Sequence, residues 1–495
     1  MRRFTLHTSR RTTLLFALGL ASLFVYWLGL ILPYNVFSLQ LKPLLSVAQL
    51  TRNNPTAQAA FVVTFAALSG LYYLTWRLCR GPQPSAMWIA LLAPLVVVNL
   101  SLLWLYPIDA ADIFDNILRG RITAQYGGNP FYQAPNDAPS DPFLTYTAWR
   151  RSTSAYGPLW ELLAAGTSRM AGDDKLANVI AFKSLGLLFY FGSLALIAGL
   201  LRRHTPERAL QGVCLFAWNP LVLYETAGNG HNDVVMVFCI LSGLYLLSRE
   251  RHIPAALALT AGATIKFIPI LLLPIALATG LRAQRTTRGR VIFGLAALTA
   301  CAALIVALYA PFWRGGDPIG LDRRSGMFTA SLPAILQARL ELSLGAEASQ
   351  RIVSRAALVT TLLAVALQTR HAWRESDWLA PIRASAFVLL FYLLLTCLWF
   401  QSWYAIWPLA LAAILPEGTA GRIAVLLSYA AIWKPIIFDY FLVRGSSLPP
   451  RVWRETLLGS VLFGLIWLYV IFVSITGRLD SKSALRHPPS AIRHP

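Results

Sequence analysis

The chain has 495 residues, 56% of them hydrophobic and only 13% charged, with a mean hydropathy of +0.56. So few charges cannot cover the surfaces of soluble domains of that total length, which assigns the chain to the membrane class. The net charge of +21 does not signal nucleic acid. Its arginines cluster at the ends of apolar runs (Arg2/Arg3/Arg10/Arg11, Arg77/Arg80, Arg202/Arg203/Arg208, Arg282/Arg285/Arg288/Arg290), the positive-inside pattern, and no basic face is interleaved with aromatics.

An apolar run over 13–33 follows a basic N-terminus; it is too long for a signal-peptide core and reads as a retained first helix. Spans at 57–76 and 87–106 follow, so that with the N-terminus cytoplasmic, residue 107 emerges outside. The segment 107–177 reads as an external catalytic loop with interfacial helices, one of them over 158–171. Spans at 178–201, 208–225 and 231–248 come next. The stretch 253–280 is flanked at both ends by arginines that belong in the cytoplasm, which predicts a broken helical hairpin turning near Lys266-Phe267-Ile268-Pro269. Later spans fall at 290–312, 351–368, 384–400, 404–415, 422–440 and 453–476. The expected fold is therefore all-α and polytopic, with about 12 full transmembrane helices plus the broken hairpin. Its segments are 1–106 (N-terminal spans), 107–177, 178–312 (transmembrane core), 313–350 (second external loop), 351–478 (C-terminal spans) and 479–495 (cytoplasmic tail). The five cysteines have no metal-ligand or paired spacing and read as small core hydrophobes.

Most acidic residues fall on the expected outer face, where positive-inside sorting does not explain them. Asp109, Asp112 and Asp115 would share one side of a helix at i, i+3, i+6. Carboxylates there can serve as general bases or hold a metal, or can simply cap the helix N-terminus. Gly127-Gly-Asn129-Pro-Phe131 is turn-rich, and Tyr156-Gly-Pro-Leu opens the helix expected at 158. The run from Trp218 to Asp233 packs Glu225, His231, Asn232 and Asp233 into an expected external turn, either as a functional cluster or as a cap on the next helix. Lys266 sits in an apolar stretch and needs an anion or a route to water. Gln401-Ser-Trp403-Tyr404 marks a helix junction, and Arg323/Arg324 are external basic residues suited to a phosphate.

In this order the segments resemble the GT-C glycosyltransferase superfamily, nearest to bacterial polyprenyl-phosphate-mannose-dependent mannosyltransferases. The resemblance covers about 105–405 and rests on Asp112-Ile-Phe114, Gly120-Arg121, Gly127 through Phe131, Tyr156 through Leu159, Asn219 through Asp233, Lys266, and Gln401 through Tyr404. Arg119 departs from a position that is often acidic in that pattern, and Phe114 and Phe131 replace tyrosines. The resemblance implies a bacterial plasma-membrane enzyme with cytoplasmic termini and an external active site. A sugar, expected to be mannose, would pass from a polyprenyl-phosphate donor to a hydroxyl on a glycolipid or glycan acceptor. Asp112 would be the base, with Asp109 or Asp115 as substitutes, and the anomeric carbon would invert. Arg121, Lys266 or Arg323/Arg324 would stabilise the leaving phosphate, while Asn129, Tyr156, Glu225, His231, Asn232, Asp233, Gln401, Trp403 and Tyr404 would bind substrate. Membrane lipids are expected partners and nucleic acid is not. No cofactor is expected, although clustered carboxylates leave room for Mg2+. Two rivals use similar architecture. A lipid or lipid-linked-sugar transporter would draw on Lys183 and Lys434 within apolar spans, and a surface-polysaccharide polymerase or ligase would use a large external loop.

Overall fold

The computed structural model describes residues 2–39, 42–51, 54–81, 83–315, 326–415, 418–437 and 450–475. Among the described residues there is no strand, only two isolated bridges, Asn35 with Leu105 and Thr329 with Trp399. The principal helices are α1 (Arg2–Tyr26), α2 (Pro55–Leu78), α3 (Ser85–Leu102), α4 (Asp112–Ala124), α5 (Pro158–Ala171), α6 (Lys175–His204), α7 (Ala209–Ala217), α8 (Asp233–Ser248) and α9 (His252–Ala263). They continue with α10 (Leu273–Ala283), α11 (Thr287–Tyr309), α12 (Leu332–Leu344), α13 (Ala346–Arg374), α14 (Ala380–Phe391), α15 (Ile406–Ala412), α16 (Thr419–Ile432) and α17 (Pro450–Ile475).

Local chemistry accounts for where many of these begin. Asn54 caps α2, its side chain accepting the Ala57 N–H at 3.1 Å, with Pro55 at the first helical position. Asp174 caps α6 in the same way through Ala177, and Arg202, Arg203 and His204 face the negative end of that helix. Thr286 caps α11 and Ser331 caps α12.

Seven helical segments are long and apolar enough to cross a membrane: Ser9–Ile31, Pro55–Leu78, Ser85–Leu102, Lys175–His204, Thr287–Phe312, Ala346–Arg374 and Arg451–Val473. Their outer faces carry exposed Val63, Leu188, Leu295 and Leu465, side chains that fit a lipid environment and not water. This is an all-helical membrane protein.

Seven of the twelve expected spans are thus present, and the other five are shorter or bent. The expected span 208–225 is interrupted because Asn219 caps a new start at Pro220. The chain then widens into a π turn over Tyr224–Gly228 and bends by 118° into α8. The expected spans 384–400, 404–415 and 422–440 are represented by α14, which continues through a π turn to Thr396, and by α15 and α16, all shorter than the seven, and residues 438–440 lie outside the described part. The 253–280 stretch is two short helices, α9 and α10, separated by a break that contains a 3-10 turn at Ile268–Leu271. Short and bent helices at this depth leave backbone groups to be satisfied by neighbours, which is tolerated only inside protein. One continuous apolar core, from Leu15 through Ile466, encloses them.

Lys183 belongs to this architecture. Its ammonium is fully buried and donates to the carbonyls of Leu102 (3.4 Å), Leu103 (3.2 Å) and Leu105, closing the end of α3. A lysine spent on a helix end removes one of the two features that favoured transport.

Candidate active site

The segment after α3 passes through Pro107 to Asp109 and enters α4 at Asp112. The expectation of three aspartates on one helical face is therefore corrected, because Asp109 precedes the helix. Its approach is pinned from the π turn: the backbone N–H groups of Ile108 and Asp109 both donate to Asn229 Oδ1, at 3.0 and 3.1 Å. The other end of that amide donates to Glu225 Oε2 at 3.0 Å. Gly230, with φ of +74°, makes the turn that follows, and a Cβ there would strike the side chain of Ile113.

The expected external turn from Glu225 to Asp233 is instead deep inside the protein: Glu225, Asn229 and Asp233 are fully buried and His231 is 4% exposed. The imidazole stacks on Trp403 with centroids 3.7 Å apart. Its Nδ1 lies 4.0 Å from Asp112 Oδ2 and its Nε2 lies 3.4 Å from Glu225 Oε2. The carboxyls of Asp109 and Glu225 face one another. Asp233 receives Lys266 Nζ on one oxygen and Trp407 Nε1 on the other, both at 2.6 Å. Lys266 also lies over the rings of Tyr156 (5.4 Å) and Tyr404 (5.6 Å). Gln401 accepts from Lys434.

The break after α9 brings Lys266 here. Gly157 and Leu159 donate their N–H groups to the carbonyls of Ile265 and Thr264, each at 3.0 Å, and a side chain at 157 would collide with the Thr264 backbone. The Tyr156-Gly-Pro motif is thus a docking seam between α5 and the Lys266 turn.

The remaining expected site residues play other parts. Arg121 is 2% exposed and held by Asp141 at 2.7 Å, Asp173 at 2.8 Å and the Gly172 carbonyl, a strut that leaves nothing for a substrate phosphate. Asn129 bonds the Phe312 carbonyl at 2.6 Å and the Phe131 N–H at 3.1 Å, tying its turn to the end of α11. Asp115 accepts the N–H groups of Ala148 and Trp149 at 3.2 and 3.0 Å and so anchors the loop over α4. Asn232 is buried beside His231. Arg323 and Arg324 lie outside the described residues.

Burial raises the carboxyls of Asp109 and Asp112 above the usual carboxylate range, and pushes Asp115 up to about 6, Arg119 pulling the last two back. Asp112 keeps one fifth of its side chain open to the surroundings, at the positive end of α4 and beside an imidazole and the Trp149 side chain. A largely buried carboxylate with a small opening, flanked by aromatics and cations, is equipped to take a proton from a hydroxyl.

Residues 100–282 match the family described as "Alpha-(1->6)-mannopyranosyltransferase, N-terminal domain". A Corynebacterium glutamicum protein named alpha-(1->6)-mannopyranosyltransferase B is 26% identical over 381 residues, covering 69% of this chain and 61% of its own length. A Mycobacterium tuberculosis protein named alpha-(1->6)-mannopyranosyltransferase A is 25% identical over 210 residues, 41% of this chain and 40% of its own. The chain is similar to these mannopyranosyltransferases. It spans about 61% of the length of the first of them, and the family match contains Asp109 through Lys266 but stops short of Gln401, Trp403 and Tyr404.

Sequence reasoning passed over four residues of this polar centre. Trp407 lies one helical turn beyond Trp403 and was hidden among interfacial aromatics. Asn229 was inside the recognised motif but looked like turn chemistry. Arg119, buried beside Asp112 and Asp115, looked only like a departure from the family pattern. Lys434 was visible as a charge in an apolar run, yet nothing local joins it to Gln401.

Proposed function

We propose that this chain is a hexosyltransferase that moves a mannosyl group from a polyprenyl-phosphate donor to an acceptor hydroxyl at the external face of the membrane. The observation that carries this reading is Asp112. It is the carboxylate that combines partial exposure, a helix N-terminus and an imidazole neighbour within a buried polar centre. The similarity to mannopyranosyltransferases over residues 100–282 supports mannose as the sugar.

In the proposed reaction Asp112 takes the proton of the acceptor hydroxyl as its oxygen attacks the anomeric carbon. The bond from that carbon to the phosphate oxygen breaks, the electron pair leaves with the polyprenyl phosphate, and the configuration inverts. Charge grows on the leaving phosphate, where a fixed cation lowers the barrier most. Lys266 and Lys434 are the cations nearest the carboxylate cluster, and Arg119 sits beside Asp112. His231, Trp403, Tyr156 and Tyr404 supply the aromatic surface against which a sugar ring packs.

The test uses membranes containing the protein, labelled polyprenyl-phosphate mannose and a lipid extract from the host. Wild type is expected to move label onto a new product, and Asp112→Asn to do so roughly 10²–10⁴-fold more slowly. Equal activity of the variant would move the base to Asp109. Lipid crossing the bilayer without sugar transfer would replace this reading with transport.

A further inference from the structure

Asp109, Glu225 and His231 each offer one ligand atom, and these atoms all lie within 4.8 Å of one another. Two carboxyls face each other here with no hydrogen-bond donor reaching Glu225 Oε1, and the imidazole Nε2 likewise has no hydrogen-bond partner. Glu225 is fully buried and His231 is 4% exposed, so bulk water does not make good the deficit. Buried acceptors converging on one point are costly unless a cation or a shared proton joins them, and a proton between the two carboxyls leaves the imidazole Nε2 still without a partner.

We propose that these three side chains bind a single divalent transition-metal ion of the Zn2+ or Mn2+ type. The Nε2–Oε2 separation of 3.4 Å is the spacing of two ligands about 2.1 Å from a common tetrahedral centre. Drawing Asp109 into the same sphere needs a shift of order 1 Å from the 4.8 Å limit, which side-chain torsions supply. An imidazole in the set selects Zn2+ or Mn2+ over Mg2+, which prefers oxygen and keeps its water.

With Nε2 on the metal, the imidazole proton sits on Nδ1, the nitrogen that faces Asp112 at 4.0 Å. This is the carboxylate–histidine–metal arrangement in which a second carboxylate fixes the ring. Three protein ligands leave a position for water or a substrate oxygen, as in reactive ion sites and not in closed structural ones. The ion site stands independently of whether the centre transfers mannose.

The experiment uses the full chain in mild detergent, with any affinity tag removed, stripped with chelator and re-equilibrated separately with ZnCl2, MnCl2 or MgCl2. Metal is counted per protein after desalting, and thermal unfolding is recorded in parallel. Wild type is expected to retain about one equivalent of Zn2+ or Mn2+, and stripping is expected to lower its Tm until either ion is restored. Glu225→Gln and His231→Gln should each weaken binding at least tenfold, while the surface variant Asp137→Asn binds as wild type does. The Tm of stripped wild type needs no variant to fold and guards against loss through misfolding. Failure of stripped wild type to bind either ion would overturn the proposal and leave Asp109 and Glu225 sharing a proton. Binding undiminished in both variants, or Mg2+ held in preference to Zn2+ and Mn2+, would overturn it as well.

Discussion

At the scale of single residues, two carboxyls make opposite predictions because burial raises both but only one is proposed to react. A base must be ionised to accept a proton, and burial raises the Asp112 carboxyl. Transfer activity should therefore fall as pH drops through a midpoint above the ordinary carboxylate value of about 4. A pH–rate profile of kcat/KM in sealed-off, washed membranes checks this, and an acid limb at or below that ordinary value would exclude Asp112 as the group. Glu161 sits in α5, 1% exposed, bonded to Ser154, with burial raising it to about 6. A carboxyl raised in the folded state is protonated there while the unfolded chain has already lost its proton. Stability from Glu161 is thus present below the unfolded value of 4.5 and lost as pH rises to about 6. The displacement corresponds to about 2 kcal/mol. Glu161→Gln keeps the shape without the charge, so its Tm should equal or exceed that of wild type at pH 7.5, with a flatter pH dependence between 4.5 and 6. Thermal unfolding across that range is the measurement.

Elements here are held by close approaches and by buried ion pairs, among them the Arg121 strut. Gly120 of α4 sits against the Ala164 backbone of α5, and Ser168 of α5 donates to the Ile117 carbonyl at 3.2 Å. A branched side chain has no room in that crossing. Gly120→Val should cost at least about 1–3 kcal/mol, read as a lower Tm and poorer yield of monodisperse protein. Arg121, on the next residue, pairs with the fully buried Asp141. Arg121→Ala would strand that carboxylate, and such losses cost about 3–5 kcal/mol. Because Arg121 is spent on structure, the milder Arg121→Lys variant should lose stability without a matching rise in KM for the lipid donor. A KM effect with unchanged Tm would restore Arg121 to the substrate site.

For the whole molecule, the proposed orientation has cytoplasmic termini and the 107–177 segment outside. Gln125 and Arg285 are both exposed and lie on segments assigned to opposite sides. Gln125→Cys should react with a membrane-impermeant thiol reagent in intact cells, and Arg285→Cys only after permeabilisation. The native cysteines are buried or half-buried and give a low background. The reverse labelling pattern would turn the molecule over and with it the proposed side of sugar transfer.

Sequence alone determined the class of the protein, the seven long helices, the turn at Lys266 and most of the residues in the polar centre. Hydropathy reports length and apolarity, and those decide whether a helix can span. The five other expected spans are shorter or bent among the described residues, because hydropathy does not distinguish a helix facing lipid from a short one buried in protein. Asn219 and Pro220 break the helix where composition alone saw a continuous run. The centre's membership was legible because polar groups in apolar surroundings are conspicuous, but their partners were not. Arg121 and Lys266 looked alike as cations awaiting phosphate, until one was found on Asp141 and Asp173 and the other on Asp233. Asp109 and Asp112 looked equivalent until the helix began between them. Only the tertiary structure decided these pairings, because each joins groups from separate helices whose meeting is set by packing and by no local spacing in the chain.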